Sequence, residues 1–236
     1  MATVNLAYLC FYRFITLEGK RYFHYRAEIA LASEIHRLLV PPLAVKLAGA
    51  EIHAESHPSS EVGGDLVDVV SSSEGWLAYI ADVSGHGVAP GVVMGMVKSA
   101  VRTRVSGSAN VQPLLDHLNR VIHPLKKSTM FVTFAYVAGR GDEVELATAG
   151  HPPILHYSAH DGAVCELRCA NLPLGVRPNQ SFTTMRVRWQ PGDLLVLVTD
   201  GLLEVEDSTG NELDMAGLRR VVERQGALPL IELSLV

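Results

Sequence analysis

The sequence predicts an α+β layered fold, and three observations carry that prediction. Two helical patterns stand side by side, at residues 90–105 and 111–125. The rest of the chain is rich in short runs that are apolar on both faces, such as Trp76 to Ala81 and Phe131 to Val137. Glycine-bearing turns, Gly139-Arg140-Gly141-Asp142 and Asp161-Gly162, separate the later runs at hairpin spacing. Adjacent helices in a strand-rich chain bury their apolar faces by covering a sheet.

Composition narrows the function. The chain has 236 residues, enough for one large or two small domains, and 48% hydrophobic content provides a sizeable core. A formal charge of −5 and the lack of any Lys/Arg tract exclude general attraction to nucleic acid. Three cysteines, Cys10, Cys165 and Cys169, make no disulfide framework and suit a reducing, cytoplasmic compartment. Zinc would need further Cys or His partners at suitable spacing, so these cysteines read as buried thiols.

In chain order, residues 4–15 are apolar and aromatic but too short for a bilayer span, and no basic segment precedes them. They read as the remnant of an upstream segment or as a docking helix. Residues 26–40 read as a helix through Ile29, Leu31, Ala32, Ile35, Leu38 and Leu39, ended by Pro41-Pro42. It is either a joining helix or an ordinary packing helix. Residues 49–56 alternate as a half-exposed strand, with His53 on its polar face. His57-Pro58-Ser59-Ser60 is loop. Leu66 to Val70 is a strand with Asp65 at its start; Asp68, three residues on, points to the opposite face.

The run Trp76 to Ala81 is a buried strand ending at Asp82, followed by the turn Val83-Ser84-Gly85-His86-Gly87. Pro90 then opens a helix whose apolar face is Val92, Val93, Met96, Val97, Ala100 and Val101. Gly107-Ser108 separates it from the next helix, with Leu114, Leu115, Leu118, Val121 and Ile122 inward and Lys126-Lys127 at a solvated end. Strands follow at 131–137, 144–148, 154–157 and 184–189, and a last one runs from Leu194 to end at Asp200-Gly201. Helices at 213–225 and from Ala227 onward close the chain. His151, in Ala149-Gly150-His151-Pro152-Pro153, reads as a histidine bonding a turn, because no carboxylate or cysteine lies beside it in sequence.

Asp65, Asp82 and Asp200 each stand at the edge of an apolar strand, with Gly63, Gly64, Gly85, Gly87 and Gly201 nearby. Singly, each Asp-Gly is an ordinary turn. Three strand-edge carboxylates together suit hard divalent cations, and the glycines let the backbone approach a ligand.

The ordered series Leu38-Leu39-Val40-Pro41-Pro42, Val62-Gly63-Gly64-Asp65, Asp82-Val83-Ser84-Gly85-His86-Gly87, Phe131-Val132-Thr133, Ala149-Gly150-His151-Pro152-Pro153, Leu172-Pro173-Leu174-Gly175, Pro191-Gly192-Asp193 and Thr199-Asp200-Gly201 resembles the PPM-type metal-dependent serine/threonine phosphatases, in their bacterial SpoIIE/RsbU-like branch. The resemblance covers roughly residues 36–215. It implies a four-layer α-β-β-α sandwich of mostly antiparallel sheets with two Mn²⁺ or Mg²⁺ ions at one edge. Asp82 would bridge both ions and the Val83 carbonyl would bind one of them. Asp65 would hold metal-bound water or a metal directly, and Asp200 would bind the second metal. His86 is either an acid for the leaving oxygen or a residue that shapes the turn. The implied reaction is hydrolysis of phosphoserine or phosphothreonine by metal-activated water, on a phosphorylated regulatory protein of the anti-anti-sigma type.

Residues 1–42 then read as an N-terminal segment and linker helix to an upstream sensor or partner, and residues 43–236 as the phosphatase domain. A homodimer is compatible with that plan. The family's terminal strand, with its Asp-Asp pair, has no counterpart here, so the domain reads as C-terminally incomplete. The alternative is therefore a catalytically impaired pseudophosphatase that binds partners. A nucleotide hydrolase is disfavoured, because no Walker-type glycine loop with Lys is present.

Overall fold

The computed structural model describes residues 2–57, 63–72, 75–85, 88–105, 113–125, 129–141 and 143–233. Val62, His86, Gly87, Pro58-Ser59-Ser60, Gly107-Ser108, Asp142, Lys126-Lys127 and the side chain of Cys10 lie outside the described residues.

A single helix, α1, spans Ala2–Leu39. The two segments read separately at 4–15 and 26–40 are therefore one element, joined through residues whose mixed composition hides the helical period. Among the described side chains, burial is reached at its end, where His36 is 5% exposed and Val40, just past the helix, 6%. Along the rest, Tyr8, Phe11, Phe14, Tyr22, Phe23 and Tyr25 are all exposed. No described helix is long and apolar enough to cross a membrane. After Pro41-Pro42, β1 (Leu43–Leu47) pairs antiparallel with β2 (Ala50–Ala54) through a turn in which Gly49 takes φ +80°. The strand β1 went unread, although Leu43, Val45 and Leu47 alternate with Ala44 and Lys46.

The central sheet is antiparallel with order β3-β4-β5-β6-β9: β3 Asp65–Ser72, β4 Gly75–Val83, β5 Val132–Arg140, β6 Glu143–Ala149 and β9 Met185–Arg188. Helices α2 (Val88–Val105) and α3 (Leu114–Ile122) cover one face of it. Met94, Val97, Val101, Leu118 and Ile122 pack there against Leu66, Leu77, Tyr79, Phe134 and Tyr136. Within α2 Met94 joins Val93, Val97, Ala100 and Val101 on the buried face, while Val92, expected there, is 57% exposed.

A second antiparallel sheet has order β10-β7-β8: β7 Ile154–Tyr157, β8 Val164–Leu167 and β10 Leu194–Val196. Between the sheets Ala135, Val137, Val144, Leu146 and Ile154 meet Trp76, Ile80, Leu195 and Leu197. Outside the second sheet, Leu155, Tyr157 and Val164 pack with Leu218 and Val222 of α5 (Asp214–Gln225). Three apolar seams thus stack four layers in the order α-β-β-α, as expected. A cleft of about 910 Å³ separates β2 from β10 over a floor that includes Trp76, Ala78 and Ile80.

Two expectations are corrected here. The strand β10 stops at Val196, and Asp200 opens a one-turn helix, α4 (Asp200–Leu203), instead of ending a strand. The segment from Ala227 holds the start of a further helix, α6 (Leu230–Leu233), as expected. Cys169 is buried as expected, but Cys165 is exposed on β8. Cys165 lies on the sheet's edge strand, where no further strand among the described residues covers it on the outer side.

Candidate active site

The register of the central sheet brings the first two aspartates together. Asp65, the first residue of β3, pairs across the ladder with Asp82 near the end of β4, and Asp82 pairs on its other side with Thr133 of β5. Directly opposed residues on antiparallel strands share a face. Asp68 lies on the other face, 2% exposed, where Arg102 of α2 donates to its two oxygens at 2.8 Å each. The period-two reading that set Asp68 apart from Asp65 and Asp82 agrees with this.

Asp200 reaches the pair from α4, and its charge is felt at both. Burial pushes Asp82 up to about 6, and the charges of Asp65 and then Asp200 add to the rise. Burial also raises Asp65; the Thr199 hydroxyl, which donates to Asp65 Oδ2 at 2.8 Å, opposes the rise, Asp200 adds to it, and His36 opposes it. Three like charges held near one another in a half-buried edge leave an unmet demand for positive charge.

The turns around the carboxylates are tightly fixed. A Cβ on Gly64 would run into the Val83 carbonyl oxygen and stand 2.9 Å from Asp82 Oδ1. Only glycine lets the two backbones lie so close. Gly85 sits at φ +111° in the turn after β4, and Ser84 staples that turn to β5, its Oγ donating to the Phe131 carbonyl at 3.1 Å and accepting from the Phe131 N–H at 2.9 Å. Gly63 is half-buried and Gly201 exposed; a Cβ on Gly201 would find only Thr199 Oγ1, at 3.9 Å.

Folding brings His151 to the border of the site. It is 5% exposed and its Nδ1 lies 2.8 Å from Thr133 Oγ1, the side chain next to Asp82 in register. Burial holds it down to about 4, against the opposing pull of the Val198 carbonyl and Asp200. The carboxylate missing beside it in sequence is supplied by folding. Thr133, Thr199 and His36 also border the site without having been singled out for a role. Thr199 had a signal, since it immediately precedes Asp200. His36 had none: it comes from α1, and its buried Nε2 has no hydrogen-bond partner among the described residues.

The donors that converge are all oxygen, three carboxylates with the Val83 carbonyl beside Asp82, which fits a hard divalent cation better than a thiophilic one. Among the described residues no three His, Cys, Asp or Glu side chains are drawn together tightly enough to hold an ion.

Comparison with known proteins places this geometry. The family model described as Stage II sporulation protein E (SpoIIE) matches residues 72–234. Phosphoserine phosphatase RsbU of Bacillus subtilis (strain 168) is 28% identical over 200 residues, covering 84% of this chain and 59% of RsbU. The chain thus spans about three fifths of that relative. Among solved structures, the SiaA-PP2C domain of Pseudomonas aeruginosa superposes with a TM-score of 0.73 at 19% identity, covering 91% of this chain and 87% of that one. The catalytic domain of the serine/threonine phosphatase PstP, solved with two manganese ions, gives a TM-score of 0.51 at 18% identity, covering 73% of this chain and 85% of that one. On a PP2C-type fold, and with the family model spanning most of its length, the chain belongs to the SpoIIE family.

Proposed function

We propose that this chain hydrolyses phosphoserine or phosphothreonine on a regulatory protein, with Mn²⁺ or Mg²⁺ as cofactor. The observation that carries the reading is the pairing of Asp65 with Asp82 across the sheet, with the charge of Asp200 felt at both; burial first, then the charges of Asp65 and Asp200, raises the Asp82 carboxyl to about 6. The likeness to RsbU, a phosphoserine phosphatase, supports the substrate class.

In this reading Asp82, Asp65, Asp200 and the Val83 carbonyl hold the divalent ions. Bound there, such ions lower the pKa of water and neutralise charge on phosphoryl oxygens. The chain's own residues prepare the place. Thr199 fixes one oxygen of Asp65. Gly64 keeps the Val83 carbonyl and Asp82 in one narrow seat. His151, neutral at pH 7 and bonded to Thr133, adds no competing positive charge. His86 remains the proposed acid or turn-shaping group. Residues 1–42 serve as the joining segment and 43–236 as the catalytic unit.

The test is hydrolysis of a phosphoserine peptide with and without Mn²⁺, beside Asp82→Asn. The expected outcome is Mn²⁺-dependent phosphate release that falls to background in the variant. A folded wild-type protein that saturates with metal yet releases no phosphate would sink the enzyme reading and leave a binding module.

A further inference from the structure

The second sheet carries a group of chemistry-bearing side chains that the phosphatase reading does not use. His156 of β7 lies directly opposite Cys165 of β8 in the strand register. Its Nε2 is 3.1 Å from Asp193 Oδ2, and its Nδ1 is 4.0 Å from Cys165 Sγ. A carboxylate only accepts, so Nε2 carries the hydrogen and donates it to Asp193. That leaves the Nδ1 lone pair facing the sulfur.

Asp193 is a well-held orienting group. Its side chain is 6% exposed and that of His156 is 11% exposed. The Ala159 N–H donates to Oδ1 and the Gln190 N–H to Oδ2, each at 2.9 Å. Despite burial, these two N–H groups and His156 hold the carboxyl below its ordinary range. Cys165 itself is exposed on the edge strand. A nucleophile open to solvent, a base with its lone pair toward it, and a buried group fixing that base make up the general arrangement of an activated thiol.

We propose that Cys165, His156 and Asp193 form a peroxide-reactive thiol site, separate from the aspartate centre. As the sulfur attacks one oxygen of a hydroperoxide, the Cys165 thiol proton passes to His156 Nδ1. The S–O bond forms and the O–O bond breaks. The departing hydroxide or alkoxide takes the proton back from the imidazolium and leaves as water or alcohol. Sulfur is oxidised to the sulfenic acid and the peroxide is reduced.

The test treats the full chain with hydrogen peroxide in the presence of a sulfenic-acid trapping reagent. Adduct formation at Cys10, Cys165 and Cys169 is followed by peptide mass spectrometry, in wild type and in His156→Gln. The expected result is selective labelling of Cys165, slowed by at least about tenfold in the variant, while labelling of Cys10 stays unchanged. A Cys165 rate equal in both proteins would overturn the proposal, as would a wild-type rate no faster than that of free glutathione. Asp193→Asn also tests the orienting role; should it fail to fold, His156→Gln decides alone, with its melting temperature as the check on folding. Phosphopeptide hydrolysis by Cys165→Ser is expected to match wild type, which keeps this test independent of the phosphatase assignment.

Discussion

Asp82 and His151 titrate in opposite senses, and their signs can be worked out. In the metal-free protein Asp82 is raised to about 6 from an ordinary 3.8, so between those values the folded chain keeps a proton that the unfolded chain has released. Its contribution to stability therefore falls as pH rises through that window. His151, lowered to about 4 from 6.5, does the reverse: its contribution grows as pH rises between those values. Asp82→Asn removes only the first effect. Thermal melts in chelator are expected to show the variant gaining on wild type from about pH 4 to 6 and holding that gain above it. A difference that stays flat across the range would contradict the burial of Asp82 beside two other carboxylates. At this scale the three aspartates were legible because each stands at the edge of an apolar run with glycine nearby. Thr133, His36 and the charge environment of His151 were not, because tertiary approach alone gives them neighbours.

The element most exposed to a single change is the join between β3 and α2. Asp68 is almost fully buried, and Arg102 supplies both of its 2.8 Å bonds, with Lys98 at 3.5 Å and the Tyr79 hydroxyl at 3.3 Å as lesser partners. Removing Arg102 leaves a buried carboxylate short of its main donor. Arg102→Ala is expected to cost about 1.5–3 kcal/mol in urea unfolding. A change within about 0.5 kcal/mol of zero, typical of surface sites, would show that Lys98 and water take over. Elements with a strong period were readable, as β4, β5, α2 and α3 show. Where two signals competed, reading failed. Leu194 to Val198 looks like a strand running on to Asp200, yet the chain leaves the sheet after Val196 so that Thr199 can reach Asp65. The short β1 was masked by the two prolines before it.

At the scale of the whole molecule, the sandwich and α1 are unequal in support. The sandwich has three apolar seams, whereas the described side chains of α1 reach the core at its last turn. Most helical stability in proteins comes from tertiary packing of an apolar face. Hydrogen exchange on the dilute chain is therefore expected to be many-fold faster at Tyr8 to Tyr25 than along β5. Equal protection would mean that those aromatic residues are covered in solution. The layered class was legible because helix and strand periods differ. The extent of α1 was not, because a helix apolar on several sides shows no clear stripe.

The central strand β5 faces two ways. Phe134 and Tyr136 point into the helix seam, while Ala135 and Val137 point into the seam between the sheets. It works as a party wall: neither half of the sandwich can be lost while the other keeps its full lining. The aspartate edge, hung on strands paired to that wall, should come and go with the entire body, so partial unfolding that spared catalysis would have to begin elsewhere.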